Sequence, residues 1–362
     1  MNRRTDRRRN PYGHIPQRYA VRHKPFDEEG YVMFTKPRRN WRAPLAVALA
    51  LIALLAGALG VNAVLNRMVR LQAADVPLPG LNKALDGYTI LHVSDLYGAR
   101  FGQAQQGIAQ AVEDARYNIV CITGDMLGPD GDPAPFYELI QAVGQHTPVL
   151  FIAGENDPAP LDGASMALYV QGAQERGAIY LDAPYLVESG GARLWFTPED
   201  ALSLNLDAAR ATYAQQLEGA QDAATRFAAT YQLERIERIE AARALMQEED
   251  ACIVLSHRPL SDSFVRAMTT TRTQGATSFL AAIDLVLAGH YNGGQARLPL
   301  LGPVYVSGYG LFPGQGVVEG LITSGTLRQH VSAGLGVRPG VQPPLRLFNP
   351  PSMTLVRLTD GL

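Results

Sequence analysis

Residues 43–65 form a run of twenty-three without a charge, in which Asn62 is the one strongly polar side chain. As a helix rising about 1.5 Å per residue it reaches roughly 34 Å, enough to cross a hydrocarbon core of about 30 Å. A cleaved secretory signal would have an apolar part of about 7 to 15 residues near the start of the chain. Here 42 residues precede the run, which favours a membrane-spanning helix over a signal or a buried core helix.

The same run divides two charge regimes. Residues 1–42 carry 12 Lys+Arg and 4 Asp+Glu, and the remainder carries 20 and 30, so the formal net charge of -2 averages a basic tail with an acidic body. Arg38, Arg39 and Arg42 stand before the span, against Arg67 and Arg70 after it. That bias predicts a single-pass protein of the cell membrane, with a cytoplasmic tail (1–42), a span (43–65) and an extracytoplasmic remainder. The bilayer is thus one expected partner. The tail reads either as a clamp on anionic lipid, at about 1 kcal/mol per basic residue, or as a topology signal alone. No basic stripe marks the body for nucleic acid, so none is expected.

With 362 residues, 47% of them hydrophobic, the chain can bury a large core. Cys121 and Cys252 sit in the apolar runs NIVCITG and ACIVLSH. Two such residues cannot make a disulfide scaffold, and buried free thiols are expected.

Residues 66–87, with Pro77, Pro79, Gly80 and Gly87, read as a linker, and the domain is expected over 88–362. From Tyr88 on, apolar runs end in Asp, Glu or His: YTILHVSD, NIVCITGD, PVLFIAGE, ACIVLSH and IDLVLAGH. Each has the continuous apolar character of a strand buried on both faces. Helical segments separate the first three, which predicts an α/β sheet with parallel strands. Residues 200–250, rich in Ala, Gln and Glu, read as a helical insertion or cap, with Phe227, Tyr231, Ala242 and Leu245 on one side. From Gly294 onward, Gly, Pro and short strands predict an antiparallel second sheet. In sheets of this kind the ligand site lies beyond the carboxyl ends of the strands.

Those ends supply Asp95 and Tyr97 (SDLYG), Asp125 (TGDML), Glu155, Asn156 and Asp157 (AGENDP), His257 (LSHRP), and His290 and Asn292 (GHYNGGQ). Oxygen and imidazole donors from several loops suit a divalent first-row metal. Their order resembles the calcineurin-like metallophosphoesterases, whose strand ends carry D-x-H, G-D, G-N-H-[DE], a lone H and G-H-x-H. The segments GHYNGGQARLPLLGP and GLGVRPGVQPPLRLFNPP are similar to a membrane-associated bacterial branch of that family. The resemblance covers about Tyr88 to Leu358.

It implies a sandwich of two mixed sheets flanked by helices, and metal-dependent hydrolysis of a phosphate ester. On the family's pattern Asp125 is the carboxylate shared by two ions, and Asp125, Glu155, His257 and His290 hold one of them, Glu155 standing where the family has Asn. The other ion would use Asp95 and two His positions that are Tyr97 and Asn292 here. The His that helps the leaving group is Asn156, which cannot act as a general acid; Asp157 keeps the last place of its motif. One ion of Mn, Zn or Fe is therefore expected, with the second weak or absent. A phosphorylated lipid or envelope precursor is the substrate that membrane location suggests. Two functions stay open: a weakened phosphoesterase, and an inactive relative that binds a metal or phosphoryl ligand as a scaffold.

Overall fold

The computed structural model describes residues 41–145, 147–159, 163–265, 283–306, 309–313, 318–324, 327–340 and 346–361. The tail before Trp41 and His146 lie outside the described residues. The chain divides into two units, residues 1–55 and 56–362. Helix α1 (Arg42–Leu65) is long and apolar enough to cross a membrane, and Asn62 is its one buried residue.

After α1 come strands β1 (Arg70–Pro77) and β2 (Thr89–Val93), helix α2 (Gln106–Val112), β3 (Ile119–Ile122), α3 (Ala134–Val143), β4 (Val149–Phe151), α4 (Ala164–Gln174) and β5 (Ala178–Tyr180). Strands β6 (Tyr185–Ser189) and β7 (Ala192–Pro198) lead to α5 (Asp200–Ser203), α6 (Leu206–Gly219) and α7 (Ala223–Leu245). Then follow β8 (Ala251–Leu255), β9 (Leu285–Ala288) and four two-residue strands, β10 (Arg297–Leu298), β11 (Gly302–Pro303), β12 (Tyr305–Val306) and β13 (Gly310–Leu311). The chain ends in β14 (Gly320–Ser324), β15 (Leu327–Val331) and β16 (Ser352–Thr359).

Two six-stranded mixed sheets result, in the orders β1-β16-β2-β3-β4-β5 and β14-β15-β9-β8-β7-β6. Alternation along each strand explains why they stack. In β2, Ile90 faces the core between the sheets, together with Cys121 of β3, Leu150 of β4, Phe196 of β7 and Ile253 of β8. Leu91 and Val93 face the other way, onto Ile108 of α2 and Phe136 and Leu139 of α3. In the second sheet Cys252 and Trp195 turn outward against Ala242 of α7. The layers are therefore helix, sheet, sheet, helix, and both free thiols are buried.

Three expectations change. The 66–87 segment is no spacer: β1 pairs in parallel with β16 over eight residues, and Val76, Leu78 and Leu85 are fully or almost fully buried. Sequence missed it because β1 is an edge strand with a single buried position, Val76, and so lacks an apolar run. The second sheet is mixed, since β15, β9, β8 and β7 run parallel and only the outer pairs, β14 with β15 and β6 with β7, are antiparallel. On α7 the buried stripe is Ala229, Gln232, Ile236, Ile239 and Ala242, while Phe227 and Leu245 are exposed. Arg238, outside that stripe, pairs with Asp182 at 2.6 Å.

Two polar features cross the core. His92 of β2 meets His330 of β15, in the other sheet, at 2.8 Å between Nδ1 atoms, and its Nε2 lies 3.0 Å from Thr123 Oγ1. At the end of α1, Asn62 and Asn66 donate to the Arg346 carbonyl at 2.9 and 2.6 Å, and Asn62 Oδ1 accepts from Phe348 N. The fully buried Arg346 guanidinium donates in turn to the carbonyls of Asn349, Gly336 and Ala333.

Leu85→Ala should cost about 2 to 5 kcal/mol of unfolding stability, read by urea titration of the full chain in detergent; an unchanged midpoint would return 66–87 to a linker. A second expectation concerns acid. Burial lowers His330 to about 4, below an unfolded value near 6.5, so the unfolded chain takes up the proton first as pH falls. Stability should decline between about pH 6.5 and 4, by up to about 3 kcal/mol from this group. The decline should be smaller in His330→Gln; equal slopes in the two chains would show that the imidazole does not titrate this way.

Candidate metal centre

Strands β2, β3 and β4 of one sheet and β8 and β9 of the other end at the same edge of the sandwich, so five loops meet there. The chain must turn sharply to aim its side chains inward. Asp95, Tyr97, Asp125, His290 and Asn292 all have positive φ, between 49° and 76°, a left-handed conformation that costs a non-glycine residue on the order of 1 kcal/mol. Close backbone approach is the second requirement. A Cβ on Gly154 would lie 2.2 Å from Asp125 N, and one on Gly334 would lie 2.8 Å from Asp95 Cβ.

The donors form two triads that share His257. In one, ligand atoms of Asp95, Asp125 and His257 lie within 4.8 Å of one another; in the other, those of Glu155, His257 and His290 do. His257 Nε2 is 3.2 Å from Asp125 Oδ2 and 3.3 Å from His290 Nδ1. Its Nδ1 lies 2.9 Å from the Thr123 carbonyl, which fixes the ring. His290 Nδ1 is 3.3 Å from Glu155 Oε1, and both Asp95 oxygens accept from the His290 backbone N–H.

Charge follows from burial. Burial and the Asp125 charge raise the Asp95 carboxyl, against the pull of His257. Burial would raise Asp125 too, but the His257 hydrogen bond and charge and two donors from Asn156 outweigh it and hold Asp125 below the usual carboxylate range. Burial works against a charged His257, yet the hydrogen bond to Asp125 and the charges of Asp95 and Asp125 lift it to about 9. His290 goes the other way: burial drops it to about 4 despite Glu155.

The remaining predicted residues take supporting places. Tyr97 donates to Asp95 Oδ1 at 3.1 Å and accepts from Asn292 Nδ2 at 3.1 Å, and burial pushes its phenol far above 10. Asn156 clamps Asp125, its backbone N–H on Oδ1 and its Nδ2 on Oδ2. Asp157, the last residue of its motif, is a positioning residue. Its buried carboxylate accepts from the backbone N–H groups of Asp125, Met126, Leu127 and Gly154, which leaves no oxygen free for chemistry.

Two arginines were missed. Arg258 forms an ion pair with Glu155. Arg338 lies 3.5 Å from Glu155 Oε2 and 3.4 Å from His290 Nε2. The signals were present: Arg258 follows His257 directly, and Arg338 lies in the GLGVRPG segment.

Two imidazoles with three carboxylates at this spacing fit a divalent first-row metal. An orphan supports the fit: Asn292 Oδ1 is buried without a hydrogen-bond partner, and a Cβ on Gly334 would lie within 3.2 Å of both it and Asp95 Oδ2. A cation would satisfy the Asn292 oxygen and add to the His290 N–H that Asp95 Oδ2 already accepts.

Asp157→Asn keeps one acceptor oxygen and turns amide N–H groups on the remaining donors. It should lower unfolding stability by about 2 kcal/mol or more, measured by urea; an unaltered midpoint would mean the 124–127 loop holds its shape unaided.

No curated protein matches the chain. Among solved structures, the phosphopantetheinyl hydrolase of Mycobacterium tuberculosis is similar at 14% identity, with a TM-score of 0.37, over 69% of this chain and 91% of that one. The family profile described as calcineurin-like phosphoesterase matches residues 88–292, more than half of the chain. The protein belongs to the calcineurin-like phosphoesterase family, whose members use divalent metals to hydrolyse phosphate esters.

Proposed function

We propose that this chain is a membrane-anchored phosphate-ester hydrolase that works with one firmly held divalent ion. The observation that carries the reading is the pair of donor triads joined at His257. Asp125, Glu155, His257 and His290 would hold the ion, of which Mn, Zn and Fe suit the donors. When bound, the ion would lower the pKa of a water and offset phosphate charge.

The chain's own groups do the rest. Arg258 and Arg338 present guanidinium forks at the exposed side of the site and would exchange Glu155 for phosphoryl oxygens, a geometry guanidinium matches well. Asn156 keeps both Asp125 oxygens oriented but has no proton to give a leaving group, which forfeits a contribution of about 10²- to 10⁴-fold. Tyr97 holds Asp95 by a hydrogen bond and is itself held by Asn292, where two imidazoles would bind a second ion, so turnover is slow.

α1 would anchor the protein with its N-terminus cytoplasmic and residues beyond 65 outside, in keeping with the arginine bias. A second reading, a non-hydrolysing binder of phosphoryl ligands, is favoured by one observation: where the family has imidazoles, Tyr97 bonds Asp95 and Asn292, and Asn156 bonds Asp125.

The test uses the full chain in detergent, loaded with Mn, with elemental analysis and aryl phosphate mono- and diesters. About one metal per chain should be found and should be lost in His257→Ala and His290→Ala. Asn156→His should raise kcat by about 10²-fold, and Arg338→Ala should raise KM. Absence of both metal and turnover would overturn the hydrolase reading, and phosphate-ester binding by that same inert chain would select the second.

A further inference from the structure

Between Arg297 and Glu319 the chain has no charged residue. Its described part folds as two small antiparallel hairpins, β10 with β11 and β12 with β13, each of two residue pairs. Ladders so short enclose no core. Leu300 is fully exposed, and Leu301, Tyr305, Tyr309, Leu311 and Phe312 are each about half exposed or more. So many exposed large apolar side chains within thirteen residues of a folded domain mark a surface that is covered by something else.

Its attachments identify the cover. Ala296 bridges Leu347, Arg297 N donates to the Leu347 carbonyl, and the next residue, Phe348, donates to Asn62 at the end of α1. The hairpins are therefore tied, through two residues, to the last turns of the apolar helix. Toward the site, Tyr309 packs edge-on against Tyr291 at 5.3 Å between ring centres, and Tyr291 adjoins His290. Leucines with Tyr and Phe and no charge are the composition of segments that lie at the lipid–water boundary.

We propose that the paired strands β10–β11 and β12–β13, with the exposed Leu300, Leu301, Tyr305 and Leu311, are a second membrane contact, seated in the lipid interface beside the end of α1, which holds the candidate metal centre at the bilayer surface. The proposal rests on the reading of α1 as a membrane span. It makes a membrane-held phosphate ester, whose phosphate lies at that same boundary, the substrate class that can reach Arg258 and Arg338 without leaving the lipid.

Single cysteines placed by Leu300→Cys, Leu311→Cys, Leu168→Cys and Leu59→Cys in the full chain would carry an environment-sensitive fluorophore, Cys121 and Cys252 being buried. The chains are reconstituted in phosphatidylcholine–phosphatidylglycerol vesicles with brominated lipid or aqueous iodide as quencher. Labels at 300 and 311 should be quenched by brominated lipid several-fold more than the label at 168 on α4, and protected from iodide. Iodide quenching equal to that at 168 overturns the proposal. So does protection without lipid quenching but with energy transfer between labelled copies, which would mean a second copy of the chain covers the patch. The label at 59 reports α1 separately: lipid quenching there but not at 300 and 311 defeats the hairpin contact alone, and its absence at 59 defeats the span as well.

Discussion

His257 is the contact on which the site depends. It leaves the end of β8 in the second sheet and reaches the Thr123 carbonyl and the Asp125 carboxylate, both at the end of β3 in the first. A sandwich held by apolar contacts alone would keep its sheets about 10 Å apart. Here the His257 side chain spans that gap to hydrogen-bond distance, and the glycines at 154, 289 and 334 are what let backbone and carboxylate approach closely at this edge. The left-handed turns at Asp95, Asp125 and His290 spend stability at this edge, and the buried core between the sheets supplies it.

The electrostatics follow from the same closeness. Three carboxylates at one edge would repel if nothing intervened, and the chain answers with a His257 held charged and with Arg258 and Arg338 on Glu155. Glu155 is thus poised between two kinds of partner. A metal would draw it toward the imidazoles, and the arginines would then be released for an anion. Glutamate in a place where the family has Asn makes this exchange available, since a neutral amide would bind neither arginine as tightly.

Much of this was legible in the sequence because strands buried on both faces leave continuous apolar runs, and the polar residues that end them stand out. Asp95, Asp125, Glu155, His257 and His290 were found that way. What escaped was set by partners distant in the chain. β1 has one buried side chain and pairs with residues about 280 positions downstream, so no local pattern announces it. The α7 stripe runs through Ala229, Gln232, Ile236, Ile239 and Ala242, and the bulkier but exposed Phe227 and Leu245 drew the sequence reading toward another face. Arg338 lies in a glycine- and proline-rich loop without period, and the four-donor role of Asp157 is a property of folded backbone that its motif position could not disclose.

Arg346 carries a consequence for how the protein is handled. Its carbonyl is held by Asn62 and Asn66, and its side chain holds the carbonyls of Ala333 and Gly336, whose neighbours Gly334 and Leu335 press on Asp95 and Ser94. The C-terminal end of the apolar helix, from residue 56 on, and the Asp95 loop are therefore parts of one folding unit. A soluble fragment trimmed just after Leu65 would keep every candidate ligand and still lose the Asn62 clasp that orders their surroundings. Silence from such a fragment would describe the cut, not the intact protein, and the intact helix in detergent or lipid is the preparation in which this site can be judged.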